Sequence, residues 1–146
     1  MQNVTATGVK MTLQSIPTLP QGITISTLPA GVDPLDSPAA QIATWQTGPN
    51  GDLIIHKQPV PIEINFSTVA GSEEDRLLEI LFDANRVAKN KLSYDDTITM
   101  VIQYPDGRTV TLSNGMLVRG TAVIGISGDG KLKERQWGCI FESKVA

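Results

Sequence analysis

The chain has 146 residues, which is enough for one domain with a single hydrophobic core. Its 40% hydrophobic and 18% charged residues argue against wholesale disorder. With 12 basic and 15 acidic residues the net charge is −3, which argues against a domain that grips nucleic acid through a concentrated basic patch. We therefore expect a single domain over residues 1–146.

No segment of the sequence predicts export or membrane insertion. The N-terminal residues lack a basic stretch followed by a continuous apolar run, and no apolar run approaches the roughly 20 residues that span a bilayer. The lone cysteine, Cys139, lies in the apolar context Trp-Gly-Cys-Ile-Phe and has no partner for an intrachain disulfide. We expect it to pack as a small hydrophobic residue in a reducing compartment.

The first half of the chain predicts strands and one long loop. Residues 8–15 alternate apolar and polar, which is typical of a half-buried strand. The proline-rich passage 16–39 should be loop or sheet edge, and about residues 28–41 should form a long projecting loop. Residues 41–46 and 52–57 predict two strands joined by an Asn-Gly turn, and residues 60–68 continue the strand pattern.

One helix is predicted at about residues 72–88. Ser72 is the N-cap candidate, and Asp75 occupies the third helical position as a shorter variant of the capping box. Leu77 and Leu81 belong to an apolar stripe at helical spacing. The stripe must be buried against a sheet or a neighbouring subunit.

The second half of the chain predicts further strands, separated by glycine-containing turns. The strands fall at residues 97–104, 108–112, 116–126 and 133–141, with hairpin turns at 105–107, 113–115 and 128–130. The prediction is a mainly β domain, an antiparallel barrel or sandwich with one flanking helix.

The sequence contains no recognisable catalytic motif. His56 is the only histidine, and no HxH, HExxH, CxxC or GxSxG pattern occurs. The glycine-rich stretch 125–130 lacks the following helix and the GK[ST] ending of a phosphate loop, so it predicts a hairpin turn. Trp45 and Trp137 could stack on a base or sugar, but their apolar strand contexts favour packing in a core or an interface. We expect no enzyme, no cofactor and no metal.

The order of elements resembles that of the tail tube proteins of tailed bacteriophages, particularly the contractile-tailed ones, which are related in fold to secretion-system tube proteins. The short matching motifs are G-x-x-G-x-L at residues 48–53, S-x-x-D at residues 72–75 and R-x-W-x-x-x-F at residues 135–141. The early strand and the long loop GVDPLDSPAAQ stand at the corresponding places.

The resemblance implies a structural virion protein that self-assembles into stacked, hexameric rings. The rings form the inner tube of the tail, through which DNA passes without specific binding. Sheath, baseplate and tail-terminator proteins are the implied partners, and the implied location is the virion tail, after assembly in the host cytoplasm. In that family the strands line the lumen, the helix lies toward the outer or inter-subunit side, and the long loop reaches an adjacent ring.

Within that model two sets of residues are predicted to make contacts between subunits. The first is a ring-to-ring contact in the projecting loop, because apolar residues exposed on a loop need a partner: Val32, Asp33, Pro34, Leu35 and Asp36. On the helix, Leu77 and Leu81 should be buried in the subunit's own barrel while Arg86 or Lys89 faces an adjacent protomer. Val32→Ser with Leu35→Ser should then leave folded subunits that fail to form long tubes.

Other functions remain open at this point. The chain could be a tube-capping or baseplate-tube component, or a secretion-system tube protein of the same fold; long smooth tubes, as opposed to single rings, would separate these. In a different class, it could be a small β-barrel ligand-binding protein or an enzyme with an unrecognised site. A monomer with a deep apolar pocket would favour that last alternative.

Overall fold

The computed structural model describes residues 8–26, 29 and 34–145. Within these residues the chain forms nine strands and one helix. In chain order they are β1 (Lys10–Ile16), β2 (Leu19–Ile25), β3 (Leu35–Asp36), β4 (Ala43–Thr47), β5 (Leu53–Lys57), β6 (Ile62–Thr68), α1 (Glu73–Asn85), β7 (Thr97–Gln103), β8 (Thr109–Gly120) and β9 (Arg135–Val145).

Seven of the strands form one antiparallel sheet, and the other two form a separate hairpin. The sheet has the order β2-β1-β7-β8-β9-β6-β3 and curls into a half-barrel. Strands β4 and β5 pair only with each other. The predicted mainly β architecture with one flanking helix is therefore confirmed.

The core lies on the helix side of the curled sheet, because side chains alternate in and out along each strand. On β1, Met11 and Leu13 are fully buried while Thr12 is exposed. Helix α1 packs against β2 and β8 and contributes the fully buried Leu78 and Leu81. The sheet therefore keeps one face buried and presents the other outward.

The helix begins as the sequence predicts and ends earlier. The Asp75 amide donates to the Ser72 hydroxyl at 3.2 Å, which confirms the N-cap. The predicted end at residue 88 is wrong, because Arg86 is already extended, with φ −80° and ψ 129°. The Lys91 ammonium donates to the carbonyls of Asp83 and Arg86, so the last carbonyls of the helix gain partners without a further turn.

The predicted turn at residues 113–115 is also wrong, because β8 runs through it as one continuous strand. Asn114 takes a φ of 54° at an irregularity of the β7–β8 register, so the Asn-Gly pair makes a bulge and not a hairpin. A Cβ at Gly115 would lie 2.2 Å from the Phe141 ring. The glycine is thus needed for the close approach of β8 to β9.

The predicted projecting loop is partly drawn into the sheet. Leu35 and Asp36 form β3 along the edge of β6, and Leu35 packs against the core. The Ser67 amide donates to the Pro34 carbonyl at 3.1 Å, which extends this contact. Val32 and Asp33 lie outside the described residues.

Candidate assembly surfaces

The hairpin of β4 and β5 stands away from the half-barrel. All five residues of β5 and four of the five in β4 are exposed. Its two strands pack mainly against each other. The loop between them closes through the Gly48 amide, which donates to the Asp52 carbonyl at 2.8 Å, and Gly51 takes a φ of 85°. The G-x-x-G motif thus builds the tip of a free-standing hairpin.

The hairpin has one mainly apolar face and one mainly polar face, and the polar face includes Ile54. Trp45 pairs with Ile55, and Thr47 pairs with Leu53, so these side chains share one face. On that face Trp45 is 69% exposed, Leu53 62% and Ile55 54%. His56 lies on the opposite face. Three large apolar side chains on one face of the hairpin therefore lie open to solvent.

The two edges of the seven-stranded sheet, in contrast, are each blocked at some positions. On β2, the Gln14 side chain donates to the Pro20 carbonyl at 2.8 Å and so occupies one acceptor of that strand. On β6, β3 pairs with part of the edge, and the Ser37 hydroxyl donates to the Glu63 carbonyl at 3.0 Å. Such cover prevents a sheet from pairing with another chain at those positions. The hairpin is exposed along both of its strands and is therefore the stronger candidate for an assembly surface.

A buried polar network fixes the helix to the sheet beneath it. Arg135, 2% exposed, lies 3.5 Å from the Asp75 carboxylate and 3.3 Å from that of Glu79. The Thr68 hydroxyl donates to Asp75 at 2.9 Å and accepts from the Trp137 indole at 3.0 Å. The S-x-x-D and R-x-W motifs therefore meet in one ion-paired cluster, whose role is structural.

The helix presents a mixed face to solvent. Arg86 and Lys89, predicted to face a neighbour, are both exposed, and Arg86 lies 3.8 Å from the Asp83 carboxylate. The helix turns also expose Ile80, while Val87 follows the helix end and is 79% exposed. The predicted burial of Leu81 is confirmed, and Leu77 packs partly buried against the core.

An open groove of about 870 Å³ lies on the outward face beside β6 and β9. Arg119 crosses it, donating to the Asn65 side-chain oxygen at 2.8 Å and pairing with the Glu63 carboxylate. Gly138 makes room for this arrangement, because a Cβ there would lie 2.9 Å from that Asn65 oxygen. The groove is charged and open, unlike the deep apolar pocket that a ligand-binding barrel would have.

Within the described residues, no group of three or more His, Cys, Asp and Glu side chains is placed to hold a metal ion. Burial raises the pKa of the Cys139 thiol to about 12, so this thiol stays protonated and unreactive. None of the described helices is long and apolar enough to cross a membrane.

Sequence reasoning found the hairpin but missed that it stands free. It expected both tryptophans in a core or an interface, and the structure separates them: Trp137 is 1% exposed in the core and Trp45 is in the open hairpin. The available signal was the run Leu53-Ile54-Ile55, which places apolar residues on both faces of one strand. Such a run indicates burial on both sides, which this chain alone does not provide.

Comparison with known proteins identifies the family. The model of the family described as tail fiber protein gp32 matches residues 2–145. No curated protein matches the chain in sequence.

Solved structures share the fold at low sequence identity. The sheath–tube complex of an extracellular contractile injection system in its extended state contains a chain with 12% identity and a TM-score of 0.52, over 92% of this chain and 86% of that one. The tube-terminating cap of the anti-feeding prophage gives 10% identity and a TM-score of 0.55, over 99% and 91%. The baseplate of that particle gives 12% identity and a TM-score of 0.58, over 99% and 95%.

These likenesses show the fold, and the family model shows the membership. Because that model covers the chain almost from end to end, the chain belongs to the tail fiber protein gp32 family of phage tail proteins, with a fold found in structures of contractile injection systems.

Proposed function

We propose that this chain is a structural subunit of the inner tube of a phage tail. Copies of the single domain assemble into rings of six, the rings stack, and DNA passes through the lumen into the host. The partners are further copies, together with sheath, baseplate and tail-terminator proteins, and the chain carries out no catalysis. The observation that carries the proposal is the free-standing hairpin with its open apolar face.

The hairpin needs a partner on energetic grounds. A two-stranded hairpin without a third strand or a covering layer is marginally stable in water. Contiguous exposed apolar surface marks a protein interaction site. Trp45, Leu53 and Ile55 make such a surface, and aromatic residues are enriched at the centres of interfaces.

A ring requires two different surfaces on each copy, because a head-to-tail contact joins unlike patches and closes only by rotation. The chain exposes apolar side chains away from the hairpin as well. In the connection between β8 and β9, Val123 is 76% exposed, Ile126 71% and Leu132 54%. Several separate unpartnered surfaces suit a subunit with neighbours on more than one side.

The outward face of the sheet suits a conduit for DNA. Its middle carries hydroxyl and amide side chains, among them Thr12 and Gln14 on β1, Thr99 on β7, and Thr111 and Ser113 on β8. Tight binding to DNA needs clustered lysine and arginine, which this part of the face lacks. A wall of this kind lets DNA slide without holding it.

Negative-stain microscopy of the purified protein, with the particle mass measured alongside, tests the proposal. We expect long smooth tubes from the wild type. Trp45→Ser removes the largest side chain of the apolar face and should abolish the tubes while leaving folded subunits, because Trp45 makes no contact with the core.

Gln46→Ser is the matched control, since it changes the neighbouring residue on the polar face of the same strand. We expect it to assemble like the wild type. A wild-type protein that stays monomeric at high concentration would contradict the proposal, and so would a Trp45→Ser variant with normal tubes.

A component at one end of the tube is a second candidate. Terminating parts of related particles match the chain as well as the tube complex does: the cap gives a TM-score of 0.55, and a sheath/tube terminator gives 0.56 at 12% identity, over 99% of this chain and 96% of that one. Single rings that do not stack, in place of long tubes, would favour this candidate.

A further inference from the structure

We infer that the hairpin of one copy seats its apolar face in a specific groove of a second copy. The groove has an apolar floor of Met116, Val118 and Ile140 and an acidic rim that includes Asp95 and Glu142. This inference rests on the proposed self-assembly and names the surface that receives the hairpin.

The groove is a concave site of about 640 Å³ on the outward side of the sheet. Met116 on β8 pairs directly with Ile140 on β9, so the two side chains lie next to each other. Met116 is 46% exposed and Val118 44%. On a face otherwise rich in threonine and serine, this is a local apolar patch that no described part of the chain covers.

The hairpin matches the groove in polarity. Its apolar face carries the Trp45 ring, which is the kind of large rigid side chain that fills a pocket at an interface centre. Methionine in the floor suits such a contact, because its flexible thioether adapts to an aromatic ring. Both surfaces are apolar in the middle and polar at the border.

The charges of the two surfaces are opposite. Of the described residues that line the groove, Asp95, Asp96 and Glu142 are acidic and none is basic. Lys57 lies at the base of the hairpin, on the same face as Trp45 and Ile55. A lysine beside the apolar face and carboxylates beside the apolar floor would fix the orientation of the docked hairpin.

The groove belongs to a second copy because the chain's own hairpin leaves it open. Met116 and Val118 remain exposed in the structure, and so do Trp45 and Leu53. One copy thus carries both an unfilled groove and the element that fits it. Such a pair joins copies head to tail, which is the kind of contact from which rings and tubes are built.

A charge exchange tests the pairing. Lys57→Glu places like charges together and should raise the critical concentration for assembly about tenfold or more, measured by sedimentation. Combining Lys57→Glu with Glu142→Lys restores opposite charges and should recover most of the loss. Arg76→Glu reverses an exposed positive charge on the solvent side of the helix, away from the hairpin and the groove, and is the control that should assemble like the wild type.

Cross-linking gives a second, independent measurement. Leu53→Cys subunits mixed with Val118→Cys subunits should form a covalent dimer with a short bifunctional maleimide once they assemble. Leu53→Cys mixed with Thr24→Cys, on the outward side of β2, should not. The native Cys139 is buried and does not contribute to the product.

The outcomes distinguish a failure of the proposed groove contact from a failure of the proposed tube function. If the wild type forms tubes while Lys57→Glu assembles normally and no Leu53–Val118 dimer appears, the groove is overturned and the proposed function stands. If the double variant assembles no better than Lys57→Glu and the dimer is absent, the groove is likewise overturned. A wild type that never assembles overturns both.

Discussion

At the scale of residues, the buried Arg135 joins two motifs that are far apart in the sequence into one ion-paired cluster. Its guanidinium lies between Asp75 at the start of α1 and Glu79 one turn later, and 5.9 Å from the centre of the Trp137 ring. Taking a charge out of water is costly, and the pair compensates only while both partners are present. The network therefore fixes the position of the helix on the sheet.

Arg135→Ala should lower the free energy of unfolding by about 3–5 kcal/mol, because it leaves the Asp75 carboxylate buried without its counter-charge. Urea denaturation followed by tryptophan fluorescence measures this. Arg108→Ala is the control: it removes an exposed arginine paired with Asp106 at 2.7 Å and should change stability little. Equal losses in the two variants would show that the buried pair has no special role.

The sequence predicted the helix cap of this cluster but did not predict the contact between Asp75 and Arg135. The Ser72 cap and the Asp75 position follow from spacing within one helical turn. The meeting of Asp75 with Arg135 depends on the pairing of β6 with β9, which brings Thr68 opposite Arg135. No local pattern specifies a contact between residues so far apart in the chain.

At the scale of elements, the alternation of apolar and polar residues and the turn residues predicted most strands correctly. The prediction failed where the same pattern occurs in two different structures. Asn-Gly closes the hairpin tip at Gly51 but makes a bulge at Asn114, inside β8. What decides between them is packing, since Gly115 lies against Phe141. The helix end shifted for a similar reason, because Lys91 and Tyr94 bond to carbonyls of its last turn.

Because Leu35 lies in the short strand β3 and packs against the core, its mutation is expected to affect the stability of the subunit as well as assembly. Because Leu35 packs against the core, Leu35→Ser should lower the free energy of unfolding of the subunit by about 1 kcal/mol, whether or not it impairs assembly. Thermal denaturation of the unassembled subunit measures this. Asp36→Ser, on the exposed neighbour in the same strand, should leave stability unchanged.

Tube formation then decides the role of Leu35. A Leu35→Ser subunit of wild-type stability that no longer forms tubes would show that this residue is a contact between rings, as the sequence suggested. A less stable subunit that still forms tubes would assign it to the core alone.

At the scale of the whole molecule, the two faces of the half-barrel carry different kinds of side chain. The inner face holds the core and the helix, the outward face carries mostly hydroxyl and amide groups, and the hairpin projects beyond both. In a ring, one of the two sides must face the lumen. The groove proposed for the hairpin occupies the outward face at β8 and β9 only, so we expect the part of that face formed by β1 and β7 to line the lumen.

Thiol labelling of assembled tubes tests this orientation. Thr12→Cys is on the outward face of β1, and Arg76→Cys is on the solvent side of the helix. In tubes, Thr12→Cys should react with a small maleimide but not with one carried on a polymer too large to enter the lumen, whereas Arg76→Cys should react with both. Dissociated subunits of either variant should react with both reagents, which controls for intrinsic reactivity.

The native protein provides a silent background, because burial keeps Cys139 protonated, with a pKa of about 12, and out of reach of either reagent. If Thr12→Cys in tubes reacts readily with the large reagent while Arg76→Cys is protected, the helix faces the lumen and the orientation is reversed. Because Cys139 is buried and is not labelled, all labelling in either variant comes from the introduced cysteine.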